Sequence, residues 1–215
     1  MDIGYIAIVL GVILVSMMLH ELMHGFIALK LGDDTAKMLG RLSFNPLKHV
    51  DPFMTVGLPL LIVISNMLTG ASMPIFGGAK PVPFNPANIR NEWGVALVAA
   101  AGPLVNLVLA FVCYGVWVSV GMPTAGLGGV ILNAAVWVNL GFFAFNILPI
   151  PPLDGSRVLY ALAPDFIRQG MDVVERYGLI MVLIIVLLFN NVIFQYMSAV
   201  IGGILAMFAG VFGVL

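Results

Sequence analysis

An apolar run at residues 3–29 constrains this chain more than any other feature, because it contains three ionisable side chains, His20, Glu21 and His24. A helix of about 20 apolar residues is long enough to cross the hydrocarbon core of a membrane. Ionisable side chains at that depth are costly and are usually kept for a functional reason. The run therefore predicts a membrane helix that carries a functional site.

His20 and His24 have the spacing of a zinc-binding pair, since residues four apart lie on one face of a helix. Glu21 lies about 100° around the helix from His20, beside the ligand pair, where it can act as general base toward a water at the metal. The alternative is a chance match, with the histidines on a polar surface or bonded within a core. The residues around the motif are apolar, which favours the metal site: Val15, Leu19, Leu22, Met23, Phe26 and Ile27.

The composition is that of a membrane protein that crosses the bilayer several times. Of 215 residues, 61% are hydrophobic and 9% charged, whereas soluble domains carry roughly 25% charged residues. A net charge of −1 argues against a nucleic-acid partner and leaves the lipid bilayer as the expected surroundings. The single cysteine, Cys113, cannot form an internal disulfide. Asp2 and the lack of a basic leading segment favour a retained helix over a cleaved signal peptide.

The fold class predicted by these features is an all-α polytopic membrane protein with five to six transmembrane helices. The apolar runs lie at about 3–29, 53–76, 93–120, 130–148, 178–190 and 191–215. We expect residues 1–160 to form a catalytic membrane core and residues 161–215 to form a C-terminal transmembrane helical pair.

The basic residues predict an orientation in the plasma membrane. All nine Lys and Arg residues fall in the stretches 30–90 and 157–176, and the connections near 119–130 and 189–193 have none. The positive-inside rule puts both basic stretches in the cytosol and the N-terminus outside. His20 precedes Lys30 by ten residues, or about 15 Å of helix, so we expect the zinc site nearer the cytosolic face.

This orientation requires that the run 53–76 enter and leave the membrane on the same side. We therefore expect a re-entrant hairpin or a pair of short helices there, broken near 65–66 or 69–70 and buried against protein. A single span is the alternative, because the run is long enough to cross.

A third ligand is needed, because a catalytic zinc site usually has three protein ligands and a water. His49 and Asp51 lie in a polar loop and could simply be solvated. Asp154 follows an apolar run in a proline-rich stretch, 146–154, that cannot continue a helix. Irregular backbone at membrane depth is tolerated where it lines a polar cavity, which makes Asp154 the better candidate.

In combination and order, several motifs resemble the site-2 protease family of intramembrane zinc metalloproteases, in its compact microbial branch without PDZ or CBS domains. They are the H-E-x-x-H at 20–24, A-G-P-L-V-N at 101–106 and N-x-x-P-x-P-x-L-D-G at 146–155. The stretches 40–46 and 78–86 are also similar, and the resemblance covers most of residues 10–160. The doubled proline at 151–152 is a small departure that still fits the pattern.

The resemblance implies one bound Zn²⁺, held by His20, His24 and Asp154, with Glu21 activating the water. It also implies substrates that are transmembrane proteins, cut within or near their membrane segments, and leaves room for a regulatory membrane partner or a homo-oligomer. By the same resemblance, Asn106 and Asn146 line the site and hold the substrate backbone or the oxyanion. The alternative for each asparagine is an interhelical hydrogen bond. Gly102-Pro103 could kink a helix or let helices pack closely.

A short β segment on the cytosolic side is predicted around Val82 and Phe84. In a strand, the prolines at 81 and 83 place their missing N–H groups on one edge, while Val82 and Phe84 keep theirs on the other. That edge could pair with an extended substrate. The alternative is a prolyl loop that covers the site or pairs with residues 38–44.

Three other functions are compatible with part of this pattern. A zinc or cation transporter would use the His and Asp residues but would not need Glu21. A non-catalytic membrane scaffold with structural zinc would not need Glu21 either. A metal-dependent hydrolase of lipid or prenylated peptide is separated from a protease only by the family resemblance.

Overall fold

The computed structural model of the chain describes residues 3–52, 57, 64 and 80–214. Within these ranges all regular secondary structure is helical, which confirms the predicted all-α class. The described part contains no β-strand, so the β segment predicted around Val82 and Phe84 is not confirmed. The predicted re-entrant segment 53–76 lies almost entirely outside the described residues.

The described ranges 3–52 and 80–214 contain eight α-helices, numbered in chain order. They are α1 (Ile3–Lys30), α2 (Thr35–Met38), α3 (Glu92–Ser119), α4 (Gly126–Asn146), α5 (Asp154–Leu162), α6 (Asp165–Arg176), α7 (Gly178–Leu188) and α8 (Asn190–Phe212). In the same ranges, the connections contain two 3-10 turns, Pro46–His49 and Pro86–Asn88.

Four of the described helices, α1, α3, α4 and α8, are long and apolar enough to cross a membrane. Helix α7 has 11 residues and rises only about 16 Å, roughly half the thickness of a hydrocarbon core. The structure therefore supports a multi-pass membrane protein with four candidate spans in its described part, and the predicted count of five to six is not confirmed.

Helices α1, α3 and α4 pack together as the centre of the fold, and α5 packs against α3. Small side chains allow the close approach of α1 and α3, because Ala28 and Val98 are fully buried where they meet. Helix α8 packs on α3 and α4 through an apolar core cluster that includes Tyr114 and Phe208. The central helices, together with α5 packed on α3, thus bring the candidate site residues together.

Candidate metal centre

The three side chains predicted to bind zinc lie together. The Nε2 atoms of His20 and His24 are 3.1 Å apart, and Asp154 Oδ2 lies 3.1 Å from the first and 3.5 Å from the second. Both histidines are buried. Within the described ranges this is the group of His, Cys, Asp and Glu side chains that could hold a metal ion, and His49 and Asp51 are not part of it.

The hydrogen bonds of His20 and His24 leave a lone pair on each Nε2 free to bind a cation. His20 Nδ1 lies 2.6 Å from Asn106 Oδ1, and His24 Nδ1 lies 2.7 Å from the carbonyl oxygen of Val98. Because both oxygens can only accept, each neutral ring carries its proton on Nδ1 and keeps a lone pair on Nε2. Those lone pairs face Asp154 Oδ2, which is buried without a hydrogen-bond partner. Three converging lone pairs repel one another unless a cation lies between them, and two imidazoles with a carboxylate are donors that zinc accepts.

Asp154 reaches the histidines because the chain turns sharply after α4. The proline-rich connection ends the helix, and Asp154 is the first residue of α5. Gly155 is required at this turn, since a Cβ there would lie 2.7 Å from the carbonyl oxygen of Leu148. At the L-D-G element, therefore, the backbone packs closely at Gly155, and the carboxylate of Asp154 faces α1.

Gly102 lies directly against the histidine pair. A Cβ at this position would lie 2.6 Å from His20 Nε2 and from His24 Cε1, so a side chain here would displace the rings. The sequence left two roles open for Gly102-Pro103, a kink or close packing. The structure shows close packing, and what α3 packs against at Gly102 is the pair of histidine rings.

A cavity of about 270 Å³ opens beside the group. Its lining includes the predicted general base Glu21 and three of the predicted substrate-binding residues, Val82, Phe84 and Asn146. Asn146 Nδ2 donates to the carbonyl oxygen of Phe142, 3.0 Å away and one turn back in α4. The cavity therefore brings together the candidate base, the candidate ligands and a side-chain amide.

Asn106 occupies a different place from the other predicted substrate-binding residues. It is fully buried, is not among the cavity-lining residues, and contacts the far side of the His20 ring through Oδ1. In this position Asn106 is better suited to orient the ring of His20 than to touch a substrate in the cavity.

The loop at residues 80–84 lies across α1 at Glu21. The backbone N–H of Val82 donates to Glu21 Oε2 over 2.8 Å. Arg41 holds the loop from outside, because its Nη2 donates to the carbonyl oxygens of Lys80 and Pro81 at 2.9 and 3.2 Å. The bond to Glu21 fits a loop that covers the site, and the bonds from Arg41 fit a loop that pairs with residues 38–44.

Asp33 anchors residues 85–88, which directly follow this loop, a role that sequence reasoning missed. Its carboxylate is fully buried: Oδ1 accepts from Asn88 Nδ2 at 2.7 Å and from the Thr35 hydroxyl at 2.5 Å, and Oδ2 accepts from the backbone N–H of Asn85 at 2.7 Å. Burial by itself raises the pKa of Asp33. The hydrogen bonds lower that pKa by more than burial raises it, so the pKa of Asp33 lies below its ordinary value. In the sequence, Asp33 looks like part of a solvated polar turn.

Two more buried polar side chains, Ser16 and Asn139, also escaped sequence reasoning. Both lie behind the histidines and are connected to Asn106. The available signal was the presence of an asparagine within an apolar run, which is costly at membrane depth.

The chain is similar to several known proteins. The model of peptidase family M50 matches residues 6–130 and 121–190 of the chain. "Putative zinc metalloprotease YwhC" of Bacillus subtilis is 37% identical over 210 residues, which cover 93% of this chain and 90% of that protein. "Putative zinc metalloprotease Rip2" of Mycolicibacterium smegmatis is 30% identical over 197 residues, 86% of this chain and 68% of the relative. No solved structure matches.

Proposed function

Since this chain belongs to peptidase family M50 and is an intramembrane zinc metalloprotease, we propose that it cuts transmembrane proteins within or near their membrane segments, with His20, His24 and Asp154 as the zinc ligands and Glu21 as the general base. The observation that carries the proposal is the convergence of two Nε2 lone pairs and the unpartnered Asp154 Oδ2 beside Glu21 in one cavity.

When bound, zinc supplies a Lewis acid that polarises a peptide carbonyl and makes water acidic enough to attack near neutral pH. Glu21 takes the proton of the attacking water and returns it to the leaving amine. Its Oε2 is held by the N–H of Val82, so Oε1 is the oxygen available for proton transfer. This bond also fixes the direction of the carboxylate in the cavity.

Asn146 is proposed to stabilise the oxyanion of the reacting peptide. One hydrogen of its Nδ2 goes to the carbonyl oxygen of Phe142, which leaves the second for an acceptor in the cavity that this residue lines. A donor prealigned toward developing negative charge lowers the barrier of acyl transfer. Asn106 is proposed to act on His20 instead of on the substrate.

Val82 and Phe84 are proposed to contact the substrate after the loop at residues 80–84 moves. In the present arrangement the N–H of Val82 is used by Glu21, so an extended peptide could pair with it only by replacing that carboxylate. A substrate helix must also unwind locally, because its carbonyls are otherwise bonded within the helix.

The proposed orientation has the N-terminus outside and the zinc site nearer the cytosol. It is supported by the position of the basic residues, since Lys30 ends α1 and Arg90 precedes α3, whereas the connection between α3 and α4 carries no charge. Gly102, which touches the histidines, lies ten residues after the start of α3 at Glu92, or about 15 Å from that end.

The test compares the wild type with Glu21→Gln, using protein purified in detergent and a flexible, unfolded reporter substrate. We expect cleavage to vanish in the variant while the zinc content stays at one ion per chain. Asp154→Asn, run beside it, is expected to lose zinc as well as cleavage. Equal cleavage by wild type and Glu21→Gln would remove Glu21 from the mechanism, and full zinc in Asp154→Asn would remove Asp154 from the ligand set.

A further inference from the structure

Three buried polar side chains form a continuous line behind His20. Asn106 on α3, Asn139 on α4 and Ser16 on α1 are 0%, 2% and 4% exposed, and none of them lines the catalytic cavity. We call them the asparagine relay. Interhelical hydrogen bonds of this kind can simply hold membrane helices together, but the direction of these bonds gives the relay a second consequence.

A backbone carbonyl oxygen of α4 sets the direction of these hydrogen bonds. Asn139 Nδ2 donates to the carbonyl oxygen of Ala135 at 2.8 Å and to Ser16 Oγ at 2.9 Å. Because a carbonyl oxygen only accepts, Ala135 requires the NH₂ group of Asn139 on its side. The amide oxygen of Asn139 must then face the other way, toward α3.

The same reasoning passes through Asn106 to His20. Asn106 Nδ2 donates to Asn139 Oδ1 at 2.8 Å, which turns Asn106 Oδ1 toward His20 Nδ1 at 2.6 Å. An amide oxygen carries no proton, so His20 must donate from Nδ1. The lone pair of His20 is then on Nε2, the atom that faces Asp154.

We propose that Asn139 is a positioning residue that acts through Asn106 to select the tautomer of His20 able to bind zinc. This inference rests on the proposed function, in which His20 is a ligand. Without Asn139, Asn106 Nδ2 keeps only its long contact of 3.5 Å to the backbone carbonyl oxygen of Ser16, so the amide can turn over and present its NH₂ group to His20 Nδ1. The ring would then carry its proton on Nε2 and could not bind the metal. Partners of metal-bound histidines set ring orientation and tautomer in this way.

The test measures zinc affinity by competition with a chelator, on the full chain purified in detergent. We expect Asn139→Leu to weaken zinc binding roughly 10- to 100-fold, the range found for such partners. Adding Asn106→Asp to this variant should restore most of the affinity, because a carboxylate accepts from His20 whichever oxygen it presents. A merely structural role of Asn139 predicts no such rescue.

A second readout follows the tautomer directly. In the metal-free protein with ¹⁵N-labelled histidine, the chemical shifts of the ring nitrogens report which one is protonated, and the chain has only three histidines to assign. We expect His20 protonated on Nδ1 in the wild type and a population protonated on Nε2 in Asn139→Leu. If the leucine variant does not fold, Asn139→Ala takes its place with the same expectations.

The matched control is Leu140→Ala, because Leu140 is the next residue of α4 and is fully buried in an apolar cluster. It should lower thermal stability and leave zinc affinity within about twofold of the wild type. The proposal would be overturned if Asn139→Leu bound zinc with wild-type affinity, or if adding Asn106→Asp did not restore the affinity. His20→Ala separates this from failure of the proposed function, because retention of wild-type zinc by that variant would mean that the site itself is wrong.

Discussion

The two halves of helix α3 are held by different kinds of contact. In the half near the site, Gly102 lies against the histidine rings and Asn106 is bonded to His20 and Asn139. In the other half, the rings of Tyr114 and Phe208 are 5.6 Å apart between centroids, with further aromatic neighbours around them.

The difference shows how one helix serves both function and assembly. Hydrogen bonds have fixed donors and acceptors, so the half near the site allows one arrangement of its side chains. Aromatic and aliphatic contacts have looser geometric requirements and tolerate changes of similar volume. Substitutions near the site should therefore alter zinc binding and cleavage, and substitutions in the aromatic half should alter stability.

The largest effect is expected from Gly102→Ala. The added methyl group would overlap the histidine rings, so zinc affinity should fall roughly 100-fold or more, at or beyond the upper end for changes around a metal site, and cleavage should fall with it. Gly115→Ala on the same helix is the control, because its Cβ would meet only the outer end of the Phe212 side chain, which can shift at the last residue of α8. Chelator competition on both variants checks the comparison, and equal zinc affinity in the two would break it.

Asp33→Asn should destabilise the protein by about 2 kcal/mol, because it removes a buried carboxylate that accepts charge-assisted hydrogen bonds. The pKa of Asp33 is lowered in the folded protein, so its contribution to stability is present above its unfolded pKa of about 3.9. That contribution is lost as pH falls through the lower folded value. Thermal unfolding of wild type and variant between neutral and acidic pH measures both effects. A difference between them that does not shrink in acid would contradict this account.

Phe208→Leu tests the aromatic half. The change removes ring contacts with Phe111 and Tyr114 and should cost about 1 kcal/mol, as for other modest reductions of core volume. Zinc affinity should stay at the wild-type value. Thermal unfolding and chelator competition on one sample separate the two quantities, and a weakened zinc site would show that the halves of α3 are coupled.

A similarly small effect, on cleavage and not on stability, is expected from Val82→Pro, which deletes the N–H that holds Glu21 Oε2. Cleavage should slow by several-fold, or roughly 1 kcal/mol in barrier height, a typical value for one hydrogen bond. Zinc should remain bound, because the deleted hydrogen bond goes to Glu21 and to none of the proposed zinc ligands. Pro83→Ala leaves the N–H of Val82 in place and should cleave at the wild-type rate. An unchanged rate in Val82→Pro would mean that the bond has no part in catalysis.

Much of the fold was predictable because membrane helices are specified locally. The run at 3–29 forms α1 (Ile3–Lys30), and the runs at 93–120, 130–148 and 191–215 correspond to α3, α4 and α8. The run at 178–190 was harder to interpret, because hydropathy alone does not show that α7 ends after 11 residues. The β segment around Val82 was not confirmed, since the prolines that leave one strand edge open suit an irregular loop equally well.

The family and the use of zinc also followed from the sequence, and both are confirmed. The reason is that the two histidines and the glutamate lie within five consecutive residues, so helix geometry alone places them together. The individual site roles remain predictions: His20, His24 and Asp154 as zinc ligands, Glu21 as general base, and Asn106, Asn146, Val82 and Phe84 around the substrate.

By itself, then, the sequence determined a chain of apolar helices with a zinc-binding motif buried in the first, because helix periodicity and hydropathy act over neighbouring residues. The sequence proposed Asp154 as a third ligand, but only the tertiary structure decided which distant groups actually meet that motif. Asp154 is 130 residues beyond His24, Asn139 lies on a third helix, and Val82 reaches Glu21 through a backbone N–H that every non-proline residue possesses. Contacts of this kind depend on how helices and loops pack, and packing is not encoded in the spacing of any one motif.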